Sequence, residues 1–122
     1  AVRYMDDDEG VAFEGETIKP LVERIVQKEI APDYLWNAKS SDLQSVVIEN
    51  ILKELAAENE NAAREGKRPF KFVVLCELQQ NVGAGLANAC TCHWDSSTDG
   101  HCVFKYETEH VQALVTVYGV QN

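Results

Sequence analysis

FKFVVLCELQQ (Phe70–Gln80), NVGAG (Asn81–Gly85), LANACTCHW (Leu86–Trp94) and DSSTDG (Asp95–Gly100) form the stretch on which the fold turns. Phe70, Phe72, Val74, Cys76 and Leu78 alternate with Lys71, Val73, Leu75, Glu77 and Gln79, the period of a strand, and the centre is apolar on both faces. Asn81–Gly85 reads as a flexible, glycine-bearing link, and Leu86–Trp94 as a second strand built of small residues. Asp95–Gly100 is composed of turn-forming residues. His101–Tyr106 then reads as a third strand and Glu107–His110 as another turn. Val111–Val120 is a fourth strand, with Val111, Ala113, Val115 and Val117 on one face and Leu114, Tyr118 and Val120 on the other.

Upstream of this stretch the period changes from two to that of a helix. Ile18, Leu21, Val22, Ile25, Val26 and Ile30 make one apolar stripe, with Thr17 as the expected N-cap, Pro20 in the first turn and Pro32 as the stop. Tyr34, Leu35 and Trp36 are expected to dock on the core. A second helix starts at Ser40 or Ser41, where Ser41 and Gln44 fit a capping box. Its stripe of Leu43, Val46, Val47, Ile51 and Leu55 is widened by Ile48 and Leu52, so burial on more than one side is expected. Glu58–Arg64 reads as an exposed end, closed by Gly66 and Pro69. Two helices followed by four strands predict an α+β domain over residues 17–122, with two helices packed on a four-stranded antiparallel sheet. Residues 1–16 carry Asp6, Asp7, Asp8, Glu9, Glu14 and Glu16 and read as a mobile acidic head, with Val11 and Phe13 as late anchors.

Strands one and four are apolar on both sides, and two helices can cover only one sheet face. The other would show more apolar surface than a monomer usually exposes, so a dimer packed face to face is expected.

Composition narrows the function. The chain has 122 residues, one domain by length, and a net charge of −9. Lys67, Arg68 and Lys71 are too few for a nucleic-acid footprint, and an acidic chain is repelled by anionic membranes. No apolar run reaches the length of about eighteen residues that spans a bilayer, and no signal peptide is visible. Four irregularly placed cysteines do not read as a disulfide framework, so a reduced, intracellular protein is expected.

Each candidate for chemistry meets a plainer reading. Cys90, Cys92 and His93, with His101 and Cys102, carry zinc-ligand types. In a strand, however, Cys90 and Cys92 share one face and His93 points away, so buried structural cysteines are expected. Asp95–Gly100 resembles the opening of a calcium loop, but Ser97 stands at its third position and Tyr106 where a glutamate is needed. A turn whose aspartates bond their own backbone fits better. Gly83-Ala84-Gly85 lacks the third glycine and the helix of a dinucleotide site. Cys76 sits mid-strand, where a thiol is inert. No catalytic constellation appears, so no enzyme activity, no metal and no cofactor are expected.

The half from Pro69 to Gly119 resembles the Tctex-type dynein light chains, in their first branch. The resemblance is carried by Pro69-Phe70-Lys71-Phe72, Asn81, Gly83-Ala84-Gly85-Leu86, Cys92, Trp94-Asp95-Ser96-Ser97-Thr98-Asp99-Gly100, Cys102 and Tyr118-Gly119. It implies a non-catalytic dynein subunit, dimeric through exchange of its second strand and bound to the dynein intermediate chain. An extended peptide of that chain would add beside the exchanged strand. It also implies a cytoplasmic, cytoskeletal or axonemal setting, and a homodimer or a heterodimer with a Tctex relative. The link from Gln80 to Gly85 would equally close an ordinary hairpin. A small metal- or cofactor-dependent enzyme and a motor-independent peptide-binding adaptor are the alternatives.

The strand expected to serve both pairings is Leu86–Trp94. Leu86, Asn88, Cys90, Cys92 and Trp94 make its inward face, and Ala87, Ala89, Thr91 and His93 the small outer one. It carries no acid, no Lys or Arg and no proline, the usual guards of a free edge.

Overall fold

The computed structural model describes residues 13–83, 87 and 89–121. Helices α1 (Gly15–Glu29) and α2 (Ser40–Arg64) precede strands β1 (Lys71–Gln80), β2 (Gly100–Glu107) and β3 (Val111–Val120). The expected α+β class is found, with both helices on one face of an antiparallel sheet of order β1-β3-β2. β3 is therefore central. Its Val111, Ala113, Val115 and Val117 are buried against Val22, Ile25 and Val26 of α1 and Val47, Ile51 and Leu55 of α2. Each of these valine, isoleucine and leucine side chains, fully removed from water, contributes about 1.5–3 kcal/mol.

Among the described residues the sheet has three strands, where the sequence predicts four. Among the described residues of the expected second strand, 87 and 89–94, none joins the ladder.

Helix boundaries also differ. α1 begins at Gly15, after Glu14, and the Thr17 hydroxyl bonds the Glu14 carboxylate rather than capping. Pro20 consequently falls inside the helix and not in its first turn. The cause is Phe13, buried at 7% exposure, whose N–H donates to Thr98 O at 2.8 Å and so fixes where the helix starts. Phe13 anchors on the core as expected, and Val11 lies outside the described residues. At α2, Gln44 makes no capping box. Its amide reaches across the helix–sheet interface to the Cys76 carbonyl, 2.8 Å away. Ser40, at 1% exposure, shares a 2.9 Å hydrogen bond with the Tyr34 hydroxyl and accepts the Asn37 N–H at 2.9 Å. This tie docks Tyr34 as expected, but it turns Leu35 and Trp36 outward, at 61% and 37% exposure. Gly66, with φ 79°, ends the helix region in the left-handed conformation that glycine tolerates.

Candidate functional site: the outer sheet face and the segment beneath it

The face of the sheet turned away from the helices is built in rows across β1, β3 and β2. Strand register sets Val73, Tyr118 and His101 side by side, then Leu75, Thr116 and Val103, then Glu77, Leu114 and Lys105, and last Gln79, Gln112 and Glu107. One half of this face is apolar and aromatic, and the other is polar. Val73, Leu75 and Val103 remain 50%, 48% and 43% exposed. An apolar outer face was expected, and it is present.

At the polar end the chain leaves β1 through Asn81, which is held on several sides. Its N–H donates to His110 O at 2.9 Å, and its side-chain amide donates to Thr108 O at 2.9 Å and Glu107 Oε2 at 3.1 Å. Gln112 Nε2 donates to the same Glu107 oxygen at 2.9 Å. Gly83 follows with φ 80°, a conformation costly for any residue with a Cβ.

Ala89, Cys90 and Trp94 lie against the outer face. The Tyr118 hydroxyl donates to Cys90 Sγ at 2.8 Å. Trp94 meets Tyr118 edge-on at 6.0 Å between ring centres, and His101 stacks on Tyr118 at 6.0 Å. Between the segment and the sheet lies an open pocket of about 510 Å³, lined by Ala89 and Cys90 above Leu75, Val103, Leu114 and Thr116. The bond to Cys90 favours the neutral phenol, and with some loss of hydration it pushes the Tyr118 pKa up to about 12.

Of the residues expected to form the site, Ala87, Ala89, Cys90, Thr91, Cys92 and His93 are exposed and Trp94 is half-buried. Leu86 and Asn88 lie outside the described residues. The alternation did place Cys90 and Cys92 on one side, with sulfurs 3.8 Å apart. Their expected burial is not found, because the segment lies across the face instead of entering the sheet. Loss of hydration and the neighbouring Cys90 raise the Cys92 thiol above its ordinary range. Cys102 is buried and Cys76 half-buried.

At the far end of the segment, the turn bonds its own backbone as expected. Asp95 Oδ1 accepts the Ser97 N–H at 3.0 Å, and Asp99 Oδ2 accepts the Asp95 N–H at 3.1 Å. Asp99 Oδ1 also accepts the Gln121 N–H at 2.8 Å, joining the turn to the end of β3. Among the described residues no three side chains of His, Cys, Asp or Glu gather as metal ligands, and no helix is long and apolar enough to cross a membrane. Sequence reasoning missed the Asn81–Glu107–Gln112 network. Its one visible sign is the polar alternate positions at the starts and ends of neighbouring strands.

Comparison with known proteins agrees with this architecture. Residues 12–120 match the profile described as the Tctex-1 family. Over 117 residues, 95% of this chain and 98% of the relative, the sequence is 27% identical to a Drosophila melanogaster protein named Dynein light chain Tctex-type. It is 30% identical over 73 residues, 60% of each chain, to the Dictyostelium discoideum protein of the same name. Human Dynein light chain Tctex-type 3 is 28% identical over 53 residues, 43% of this chain and 46% of the relative. Names of motor light chains accord with the non-catalytic reading of the sequence.

Proposed function

This chain belongs to the Tctex-1 family, and from that membership we propose that it is a non-catalytic light chain of a dynein motor. It works as a dimer that binds an extended peptide of the dynein intermediate chain. Its setting is the cytoplasm and the microtubule cytoskeleton, cytoplasmic or axonemal, and its dimer partner is a second copy or another Tctex-type light chain.

One observation carries the reading. Among the described residues, 89–94 join no ladder, and β1 and β2 are the edge strands of the sheet, each with a strand neighbour on one side. Free strand edges recruit strands. In the proposed dimer, Leu86, Ala87, Asn88, Ala89, Cys90, Thr91, Cys92, His93 and Trp94 of each chain complete the sheet of the other. The incoming peptide then adds alongside. Main-chain hydrogen bonds supply affinity and the pockets between alternate side chains supply selectivity. Two such grooves on one dimer hold two intermediate chains together, the second engagement being effectively intramolecular.

Residue-resolved hydrogen exchange with and without an intermediate-chain peptide tests the assignment. Slower exchange of the amides from Ala87 to His93 on peptide addition is expected. Protection confined to the helices, with those amides unchanged, would overturn it.

A further inference from the structure

The function proposed above uses the backbone at Cys90 and Cys92 but not the chemistry of their thiols. Their sulfurs lie 3.8 Å apart on an exposed stretch that no ladder restrains. The other two thiols are shielded, Cys102 at 6% exposure within the core and Cys76 half-buried beneath α2. Accessible neighbouring thiols on an unrestrained backbone are the arrangement that thiol–disulfide exchange requires.

We propose that Cys90 and Cys92 are a redox-active dithiol that closes to an intrachain disulfide on meeting a low-molecular-weight disulfide of the glutathione class. In the first step the thiolate of one cysteine attacks a glutathione sulfur, forming a mixed disulfide and expelling one glutathione thiolate. The second cysteine, as thiolate, attacks the protein sulfur of that mixed disulfide and expels the other. Both protein sulfurs are oxidised, both glutathione sulfurs are reduced, and the two protein protons pass to the departing thiolates.

Closure changes the backbone. Residues two apart on a strand advance about 6.4–6.8 Å, at the outer limit of the Cα separations a disulfide spans, whose commonest values are about 5.5–6 Å. The closed ring therefore draws the segment out of strand conformation. It also converts Cys90 Sγ from a thiol to a disulfide sulfur at the point where Tyr118 holds it. Provided that this segment is the exchanged strand, as proposed above, oxidation and strand exchange exclude one another. Oxidised chains are therefore expected to dimerise at least about tenfold more weakly than reduced ones, since at the least one or two ladder hydrogen bonds are lost.

The test uses the reduced full chain in glutathione buffers of increasing oxidation, with remaining thiols alkylated and mapped by mass spectrometry. The peptide Ala89–His93 serves as the control for an unconstrained pair. Expected is the joint loss of two alkylatable thiols at Cys90 and Cys92, with a two-hydrogen mass decrease that Cys90→Ser and Cys92→Ser both abolish. Both thiols staying alkylatable where the control peptide is oxidised would overturn the proposal, as would bonding to Cys76, Cys102 or another chain. Trp94 emission in a Trp36→Phe background gives an independent readout. It should shift on oxidation, and the shift should vanish with Cys90→Ser. Sedimentation then separates the two readings. A dimer that persists undiminished after the disulfide has formed overturns the coupling, whereas a reduced chain that never dimerises, alone or with a Tctex relative, counts against strand exchange itself.

Discussion

The ring of Phe13 lies over the α-carbon of Gly119, in the space that a Cβ there would occupy. The same ring packs edge-on against Phe70 at 5.5 Å and Phe72 at 6.2 Å, so the segment leading into α1 is tied both to the start of β1 and to the end of the central strand. Gly119→Ala is therefore expected to destabilise the domain by about 1–3 kcal/mol, as overpacking does. Phe13→Ala should cost about 3–5 kcal/mol, and the double variant less than the sum. Urea unfolding of the three variants measures this coupling; strict additivity would show that the ring and the glycine act separately.

Deleting Ala1–Glu9 should leave the melting temperature nearly unchanged, because its carboxylates Asp6, Asp7, Asp8 and Glu9 adjoin one another and have only Arg3 as a close cation in sequence. Extending the deletion through Phe13 should lower it by several degrees. Calorimetry distinguishes the two truncations. A comparable loss from the shorter one would mean that the head packs on the domain.

Asn59 faces Phe70 with both ends of its amide, donating to Phe70 O at 2.8 Å and accepting Phe70 N–H at 3.1 Å. It acts as a strand partner at the approach to β1, supplied by a helix. Asn59→Ala should cost about 1–3 kcal/mol, since two part-buried backbone groups lose their partner. Asn61→Ala, two residues on and exposed, should stay within about 0.5 kcal/mol. Chemical denaturation of both variants checks the contrast.

Thr91→Pro removes one backbone donor from the segment beneath the sheet and restricts its conformation. It should weaken dimerisation or peptide capture, as measured by sedimentation and by titration with an intermediate-chain peptide. Asn61→Ala should do neither. Full retention of both properties by the proline variant would remove this segment from the binding site.

Burial, followed by the negative charge of Glu77, pushes the Cys76 thiol up to about 11 from an ordinary value near 9. The folded state thus holds the proton more tightly than the unfolded one. The stability this contributes is complete below pH 9 and is lost as pH rises through 11. Unfolding free energy should fall across that window in the wild type and fall less in Cys76→Ala. Equal slopes would show that the thiol titrates as it does in an open chain.

Alternation and helical spacing made most of this fold legible: the stripe through Val22, Ile25 and Val26, and the two faces of Val111–Val120, lie where their periods place them. Leu86–Trp94 alternates too, yet its described residues, 87 and 89–94, join no ladder within this chain. Period reports which side chains share a face, not whether a ladder exists to receive them. Thr17 and Ser41–Gln44 were misread for a related reason. Local capping patterns competed with tertiary contacts to Phe13 and Cys76, and the tertiary contacts won. Asn59 looked like part of a solvated helix end because nothing in its neighbours announces a backbone eleven residues away. At the site, Tyr118 was visible as an outward residue of the last strand, but its bond to Cys90 depends on a path that composition does not encode.

The central strand of the sheet is also the last strand in sequence. β1 and β2 each pair only with β3 among the described residues, so neither finds its ladder until Val111–Val120 has been made. A ribosome adding about 5–20 residues per second leaves β1, with its apolar Val73, Val74 and Leu75, waiting seconds for Val111–Val120 to emerge. The helices can form and meet in that interval, but the sheet forms only once Val111–Val120 has emerged. During synthesis, the most exposed species is thus a nascent chain with a complete helical layer and an unsatisfied β1, the form on which a chaperone would act.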